Sequence, residues 1–246
     1  MTHEDVVAAT RLISAQRTHR GLVREANEDS VHVGVNVLAL ADGMGGHAAG
    51  EVASALMIAA LAQLDQAADG ELLARLEEAV LKGNTAIAEH AERHVEAAGM
   101  GTTLTAILFD GPCFGLAHVG DSRAYRLRAG HLSQLTHDDT FVQSLVDSGH
   151  ITAEQARTHP RRSLIMQALT GAAVTPALVL GDAEIGDRFL LCSDGLSDVV
   201  GAEQIESALV GAGTVEECAD QLVELALAGG GPDNVTVVVA DLLAAN

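Results

Sequence analysis

The order in which strand-like and helix-like segments follow one another constrains this chain more than any single motif. Val31 to Ala41 reads as strand material, with Gly34 and Asn36 marking a turn or bulge. Glu51 to Ala68 is apolar almost all round, which predicts a helix that is buried or packed on two sides. From Glu71 to Ala98, Leu73, Leu76, Val80, Ile87 and Ala91 recur at near-helical spacing, with Glu77, Glu78 and Lys82 off that stripe. This predicts an amphipathic helix, in which Gly83 costs about 1 kcal/mol relative to Ala. Short strands follow at Thr103 to Phe109, Cys113 to Val119, Ser122 to Arg128 and His131 to Leu135, separated by Gly- and Asp-containing turns. Thr140 to Gly171 is polar and irregular, with helical pieces at Phe141 to Asp147 and Ala153 to Thr158. Strands at Ala177 to Leu180 and Arg188 to Cys192, helices at Ala202 to Val210 and Val215 to Ala228, and a last strand at Asn234 to Leu242 complete the pattern. Strands grouped in runs, not alternating singly with helices, indicate antiparallel sheets with helices stacked outside them.

Composition narrows the functional classes. A length of 246 residues suits one domain, and a chain that is 48% hydrophobic but only 2% aromatic must build its core from Ala, Val, Leu and Ile. Its 34 acids against 14 bases leave a net charge of −20, which repels nucleic-acid backbones and anionic membranes. Cys113, Cys192 and Cys218 are far apart and form no C-x-x-C pair, so neither a zinc site nor a disulfide framework is expected. The opening MTHEDVVAATR has no apolar core of signal-peptide length, and no apolar helix approaches the roughly 20 residues of a membrane span. A cytoplasmic monomer is the expectation.

Chemistry concentrates at Val37 to Gly50, VLALADGMGGHAAG, where an apolar strand ends at Asp42 and glycines follow. An acid beside glycines that leave backbone oxygens exposed can hold a hard cation, although a single Asp-Gly is more often a plain turn. Four more acids share this position type: Asp29 before a strand, Asp121 between two strands, Asp194 after Phe189 to Cys192, and Asp233 before the last strand. If the sheet ends share one rim, these carboxylates converge and repel. Divalent cations resolve that repulsion, and an oxygen-only ligand set suits Mg²⁺ or Mn²⁺. Gly43 to Ala48 also fits G-x-G-x-x-A, the dinucleotide fingerprint. That alternative puts Asp42 just before the turn meant for a pyrophosphate and leaves the other four acids unexplained.

Six stretches in order strongly resemble the metal-dependent protein serine/threonine phosphatases of the PP2C type, in particular their compact bacterial members. They are GLVREANEDS (Gly21 to Ser30), LALADGMGGHAAGEVAS (Leu38 to Ser54), MGTTLTAILF (Met100 to Phe109), HVGDSRAYRLRAGHLSQLTHDDT (His118 to Thr140), LLCSDGLSDVV (Leu190 to Val200) and GPDNVTVVVADL (Gly231 to Leu242). The resemblance implies an α+β fold over residues 1–246, a four-layer αββα sandwich of two face-to-face antiparallel sheets, with a flap-like insert at about 140–171. It implies hydrolysis of phosphoserine and phosphothreonine by direct attack of a water activated between two Mn²⁺ or Mg²⁺ ions. Asp42 would bridge the ions and the Gly43 carbonyl would bind one of them. Asp194 and Asp233 would hold the other, while Glu28 and Asp29 would act mostly through water. Asp121 with Asp194 resembles the ligand set of a third metal in bacterial members. Arg24 would grip the substrate phosphate, a task suited to the guanidinium fork.

Many eukaryotic relatives carry a histidine two residues after the bridging acid, where this chain has Met44. His47 is the nearest imidazole; the expectation is that a metal-bound water protonates the leaving oxygen, with His47 at most assisting. Arg161 and Arg162 form a basic pair in the insert that could contact a phosphoprotein, the substrate of a Ser/Thr kinase. Two narrower alternatives remain: a phosphatase dedicated to one regulatory protein of the anti-sigma antagonist type, and a non-catalytic phosphoprotein-binding relative.

Overall fold

The computed structural model describes residues 10–45, 49–66 and 70–245. The strands are β1 (Thr10–His19), β2 (Asp29–Val33), β3 (Val37–Met44), β4 (Gly101–Thr102), β5 (Leu104–Asp110), β6 (Cys113–Val119), β7 (Arg123–Arg128), β8 (His131–Gln134), β9 (Ala177–Asp182), β10 (Arg188–Cys192) and β11 (Val235–Ala244). The helices are α1 (Ala49–Ala62), α2 (Leu72–Arg93), α3 (Phe141–Asp147), α4 (Ala153–Arg157), α5 (Asp194–Ser197), α6 (Ala202–Gly211) and α7 (Val215–Ala228). One sheet has the order β1-β11-β10-β7-β8 and the other β2-β3-β5-β6-β9, with β4 attached to β3. Every strand pairing among the described residues is antiparallel. The dinucleotide alternative fails here, because its βαβ unit needs parallel strands.

Side-chain size explains how the layers stack. Along β3, Leu38 and Leu40 point into the space between the sheets, while Val37, Ala39 and Ala41 face α1 and α2. The larger residues fill the inter-sheet layer and the smaller ones let α1 lie close. Phe109, Phe114 and Phe189, three of the chain's four phenylalanines, concentrate in that inter-sheet core. Phe189 meets the other two edge to face at ring separations of 5.1 and 5.4 Å. On the other outer face α6 and α7 bury Ile205, Leu209 and Leu222 against Leu190, Val237 and Val239. The result is an αββα stack. A Cβ on Gly83 would come within 2.6 Å of Met57 Sδ, so the glycine that weakens α2 allows α1 and α2 to approach.

Three elements depart from the sequence reading. The ten-residue strand β1, which pairs along its whole length with β11, was not expected. Strand β3 does not stop at Asp42 but continues through Gly43 and Met44, which pair with Thr102 and Gly101 of β4. The one-turn helix α5 begins at Asp194 itself. Between residues 140 and 171, α3 and α4 are capped by Thr140 and Thr152, whose hydroxyls accept from Gln143 N and Gln155 N. Isolated bridges from Thr140 to Ile165 and from Thr102 to Leu169 tie the insert to the body. Among the described residues no helix is long and apolar enough to cross a membrane.

Candidate metal centre

The five acids converge on one rim. Asp29 and Asp42 are direct cross-strand partners in the β2–β3 hairpin. Asp121 lies in the β6–β7 connection, which passes from one sheet to the other, and Asp194 and Asp233 sit at the facing ends of the paired strands β10 and β11. A cleft of about 340 Å³ opens there, lined by Arg24, Glu28, Asp42, Asp121, Asp194 and Asp233 among others, whereas Asp29, its carboxylate oxygens buried, does not line it.

The backbone around each acid is held from several directions. Asp42 N–H donates to Thr103 Oγ1 at 3.1 Å, and its carbonyl accepts from Thr103 N–H and Thr102 Oγ1, both at 2.9 Å. Asn234 Oδ1 accepts from Glu28 N–H at 2.8 Å, while Asn234 Nδ2 donates to the Arg20 and Ala26 carbonyls at 2.9 and 2.8 Å. One amide thus fastens the Arg24-bearing loop to the start of β11. Glycines allow the loops to touch. A Cβ on Gly43 would run into the backbone oxygens of Gly50 and Glu28, and one on Gly195 into the Asn234 carbonyl oxygen. Gly195→Ala should therefore destabilise the fold by about 3 kcal/mol, because the α5 and β11 loops must part. Urea denaturation checks this, and an unchanged midpoint would show that the contact relaxes freely.

Electrostatics marks the site as strained without a partner. Both carboxylate oxygens of Asp29 and Oδ1 of Asp121 are buried with no hydrogen-bond partner. The Ser193 and Thr236 hydroxyls lie near Asp29; Ser193 Oγ donates to the Asn234 carbonyl at 3.4 Å, and Thr236 Oγ1 shares a hydrogen bond with Thr18 Oγ1 at 2.7 Å. Burial pushes Asp29 up to about 6, a shift softened by those hydroxyls and reinforced by the charge of Asp233. Asp121 rises to about 7, through burial first and then the charges of Asp138 and Asp198. Asp42 lies well above the ordinary carboxylate range, through burial and then the charges of Asp29, Asp194, Asp121 and Asp233. Asp194 is raised in the same way by burial and by Asp121, Asp198, Asp233 and Asp29. Unpartnered buried carboxylate oxygens in an oxygen-only setting fit divalent cations of the Mg²⁺ or Mn²⁺ kind. Among the described residues, no three His, Cys, Asp or Glu side chains are drawn together tightly enough to hold an ion as they stand.

Arg24 stands at the rim with its side chain half exposed and its Nη2 2.5 Å from Asp233 Oδ2. Gly43 and Met44 line the cleft as expected, whereas His47 lies outside the described residues. The Arg161–Arg162 pair divides: Arg161 stacks over the Phe141 ring at 5.7 Å, and Arg162 faces the cleft with Nε 3.7 Å from Asp198 Oδ2. Sequence reasoning missed Asp198, whose carboxyl is raised chiefly by burial. The signal was its spacing of four from Asp194, which puts Asp198 at the C-cap of α5, one turn after the acid that begins it.

The profile of one family, protein phosphatase 2C, matches residues 16–225. The chain belongs to the protein phosphatase 2C family. It is 63% identical over 230 residues to the serine/threonine protein phosphatase PstP of Mycobacterium tuberculosis, covering 93% of this chain and 45% of that protein. The chain therefore spans about half the length of that relative. The serine/threonine phosphatase stp of Listeria innocua is 35% identical over 237 residues, covering 92% of this chain and 94% of its own length. The crystal structure of the PstP catalytic domain in complex with two manganese ions superposes with a TM-score of 0.90 at 60% identity, covering 95% of this chain and 99% of that one. Family membership accords with the four-layer architecture.

Proposed function

We propose that this chain is a metal-dependent protein serine/threonine phosphatase that hydrolyses phosphoserine and phosphothreonine in phosphoproteins. The observation that carries the reading is the set of buried, unpartnered carboxylate oxygens around Asp42, at the rim that also bears Arg24. Family membership and the manganese complex of the PstP catalytic domain support it. Asp42, the Gly43 carbonyl, Asp194 and Asp233 would hold two Mn²⁺ or Mg²⁺ ions, Glu28 and Asp29 would act mostly through water, and Asp121 with Asp194 would serve a third ion. When bound, the ions supply a hydroxide-like nucleophile near neutral pH and positive charge for the phosphoryl oxygens.

The chain's own residues do the rest. Ionised Asp42 and Asp194 attract cations into a protein of net charge −20 and so reverse the local field that would repel an anionic substrate. Arg24 would offer two parallel N–H donors to a phosphate, and in this structure its Nη2 donates to Asp233 Oδ2 at the cleft wall. Thr102, Thr103 and Asn234 fix the backbone positions from which these groups act. The substrate would come from a Ser/Thr kinase, the enzyme would act as a cytoplasmic monomer, and the acidic surface disfavours nucleic acid. Hydrolysis of an aryl phosphate, a phosphothreonine peptide and a phosphotyrosine peptide, each with Mn²⁺ and with excess chelator, tests the reading. Turnover of the first two only with Mn²⁺ is expected. Full activity in chelator, or none with Mn²⁺, would sink it.

A further inference from the structure

An uncharged pocket opens directly beside the cleft. It is about 360 Å³, shares Met44 and Ile165 with the cleft, and is completed by Met166, Ala168, Ala173 and Val174 together with the polar but uncharged Gln167 and Thr170. None of its eight lining residues carries a charge, in a protein of net charge −20 whose adjoining cleft is crowded with carboxylates. Met166 is 60% exposed at its edge.

The wall bearing these side chains is held firmly. Ile165 bridges Thr140, Met166 N–H donates to the Asp139 carbonyl at 2.7 Å, and Gln167 Nε2 donates to Asp139 Oδ1 at 3.3 Å. Leu169, fully buried, exchanges backbone hydrogen bonds with Thr102 at 2.9 and 3.0 Å, and Thr102 belongs to the strand that pairs with Gly43 and Met44. The pocket and the metal-site backbone therefore share one hydrogen-bonded frame. Such a surface is preorganised, so little ordering is lost when a side chain enters it. Methionines at its floor and edge adapt to side chains of differing shape.

We propose that this pocket receives an apolar side chain flanking the phosphorylated residue, so that Met44, Ile165 and Met166 determine which phosphopeptide sequences are preferred. The inference rests on the phosphatase reading of the cleft. Continuity with the cleft commits the occupant to the substrate chain itself: a residue within two positions of the phosphoresidue lies no more than about 7 Å along an extended backbone. Acidic flanks are disfavoured twice, by the carboxylates and by an uncharged pocket that cannot pair them.

The experiment compares kcat/KM, with Mn²⁺, for phosphothreonine peptides that carry Leu, Lys, Glu or Gly at each of the two positions on either side. An aryl phosphate serves as a flank-free substrate. In the wild type, Leu should exceed Gly by about tenfold at one or more positions, the low end of the discrimination that side-chain burial provides. In Met166→Glu, an exposed substitution, that ratio should collapse and the Lys peptide should become preferred at the same position. A merely structural role for Met166 would not produce this reversal. Ratios within about twofold at all four positions in the wild type, or an unaltered order in Met166→Glu, would overturn the inference while aryl phosphate turnover upholds the phosphatase reading. No Mn²⁺-dependent turnover of the aryl phosphate would overturn both.

Discussion

Asp42→Asn is expected to lose on the order of a thousandfold in Mn²⁺-dependent turnover of an aryl phosphate and yet raise the Tm of the metal-free protein. The two effects have one cause. Asp42 faces the charges of Asp29, Asp194, Asp121 and Asp233 from a buried position, and those neighbours with the burial itself make its ionised form unfavourable. Asparagine keeps the shape, the backbone bonds to Thr102 and Thr103 are unaffected, and one charge leaves the cluster. In the absence of metal, relief of that repulsion should raise Tm at pH 8 by roughly 3 °C, with less gain at pH 5, where the cluster is already partly protonated. With saturating Mn²⁺ the order should reverse, because the wild type gains ion-binding energy that the variant cannot match. Differential scanning fluorimetry in chelator and in Mn²⁺, beside steady-state rates, measures all of this. A variant less stable than wild type in chelator at pH 8 would mean that the carboxylates are not strained in the metal-free fold. Sites that hold charge against its neighbours are where activity and stability are expected to oppose each other.

Much of this arrangement is legible in the sequence because hydrophobic periodicity reports burial directly. The stripe Leu76, Val80 and Ile87 places α2, and apolar runs ending in acids place β3 and β10. The position type shared by Asp42, Asp121, Asp194 and Asp233 then carries over into the cleft, with Asp29 beside Asp42 across the hairpin, since strand ends of two stacked sheets share a rim. What escaped reading depends on partners distant in sequence. Strand β1 is an edge strand that carries Arg11, Gln16, Arg17 and His19, and its ten-residue ladder with β11 supplies the order that its composition does not. Two-residue β4 exists only because Gly43 and Met44 pair with it. Asn234 reads as a turn residue beside Gly and Pro, whereas its amide ties together segments more than 200 residues apart. Arg161 and Arg162 are adjacent in sequence, but local backbone geometry sends one to Phe141 and the other to Asp198.

In excess chelator, Tm should fall as pH rises from about 5 to about 8, on the order of 5 °C, contrary to the acid-induced loss that paired carboxylates usually give. Asp29 titrates near 6 and Asp121 near 7 in the folded protein, and Asp42 and Asp194 are raised as well, against about 3.8 for an aspartate in the unfolded chain. Between the unfolded and folded values the native state binds more protons than the unfolded one, so stability declines with pH across that window. Below about 4 both states are protonated and this contribution is fully retained; above about 7 it has gone for Asp29 and Asp121. Asp147 shifts the opposite way through Gln143 and then His137, and Asp182 and Asp220 do so through Arg128 and Arg17, but all three are fully exposed and solvent screens them. Mn²⁺ should flatten or invert the slope, because only ionised carboxylates bind it and the ion then replaces the missing protons. The Tm gain on adding Mn²⁺ should therefore be small near pH 5 and largest near pH 8. A metal-free Tm that climbs steadily through this range would mean that the five acids are already compensated, leaving no electrostatic reason for the rim to draw in cations.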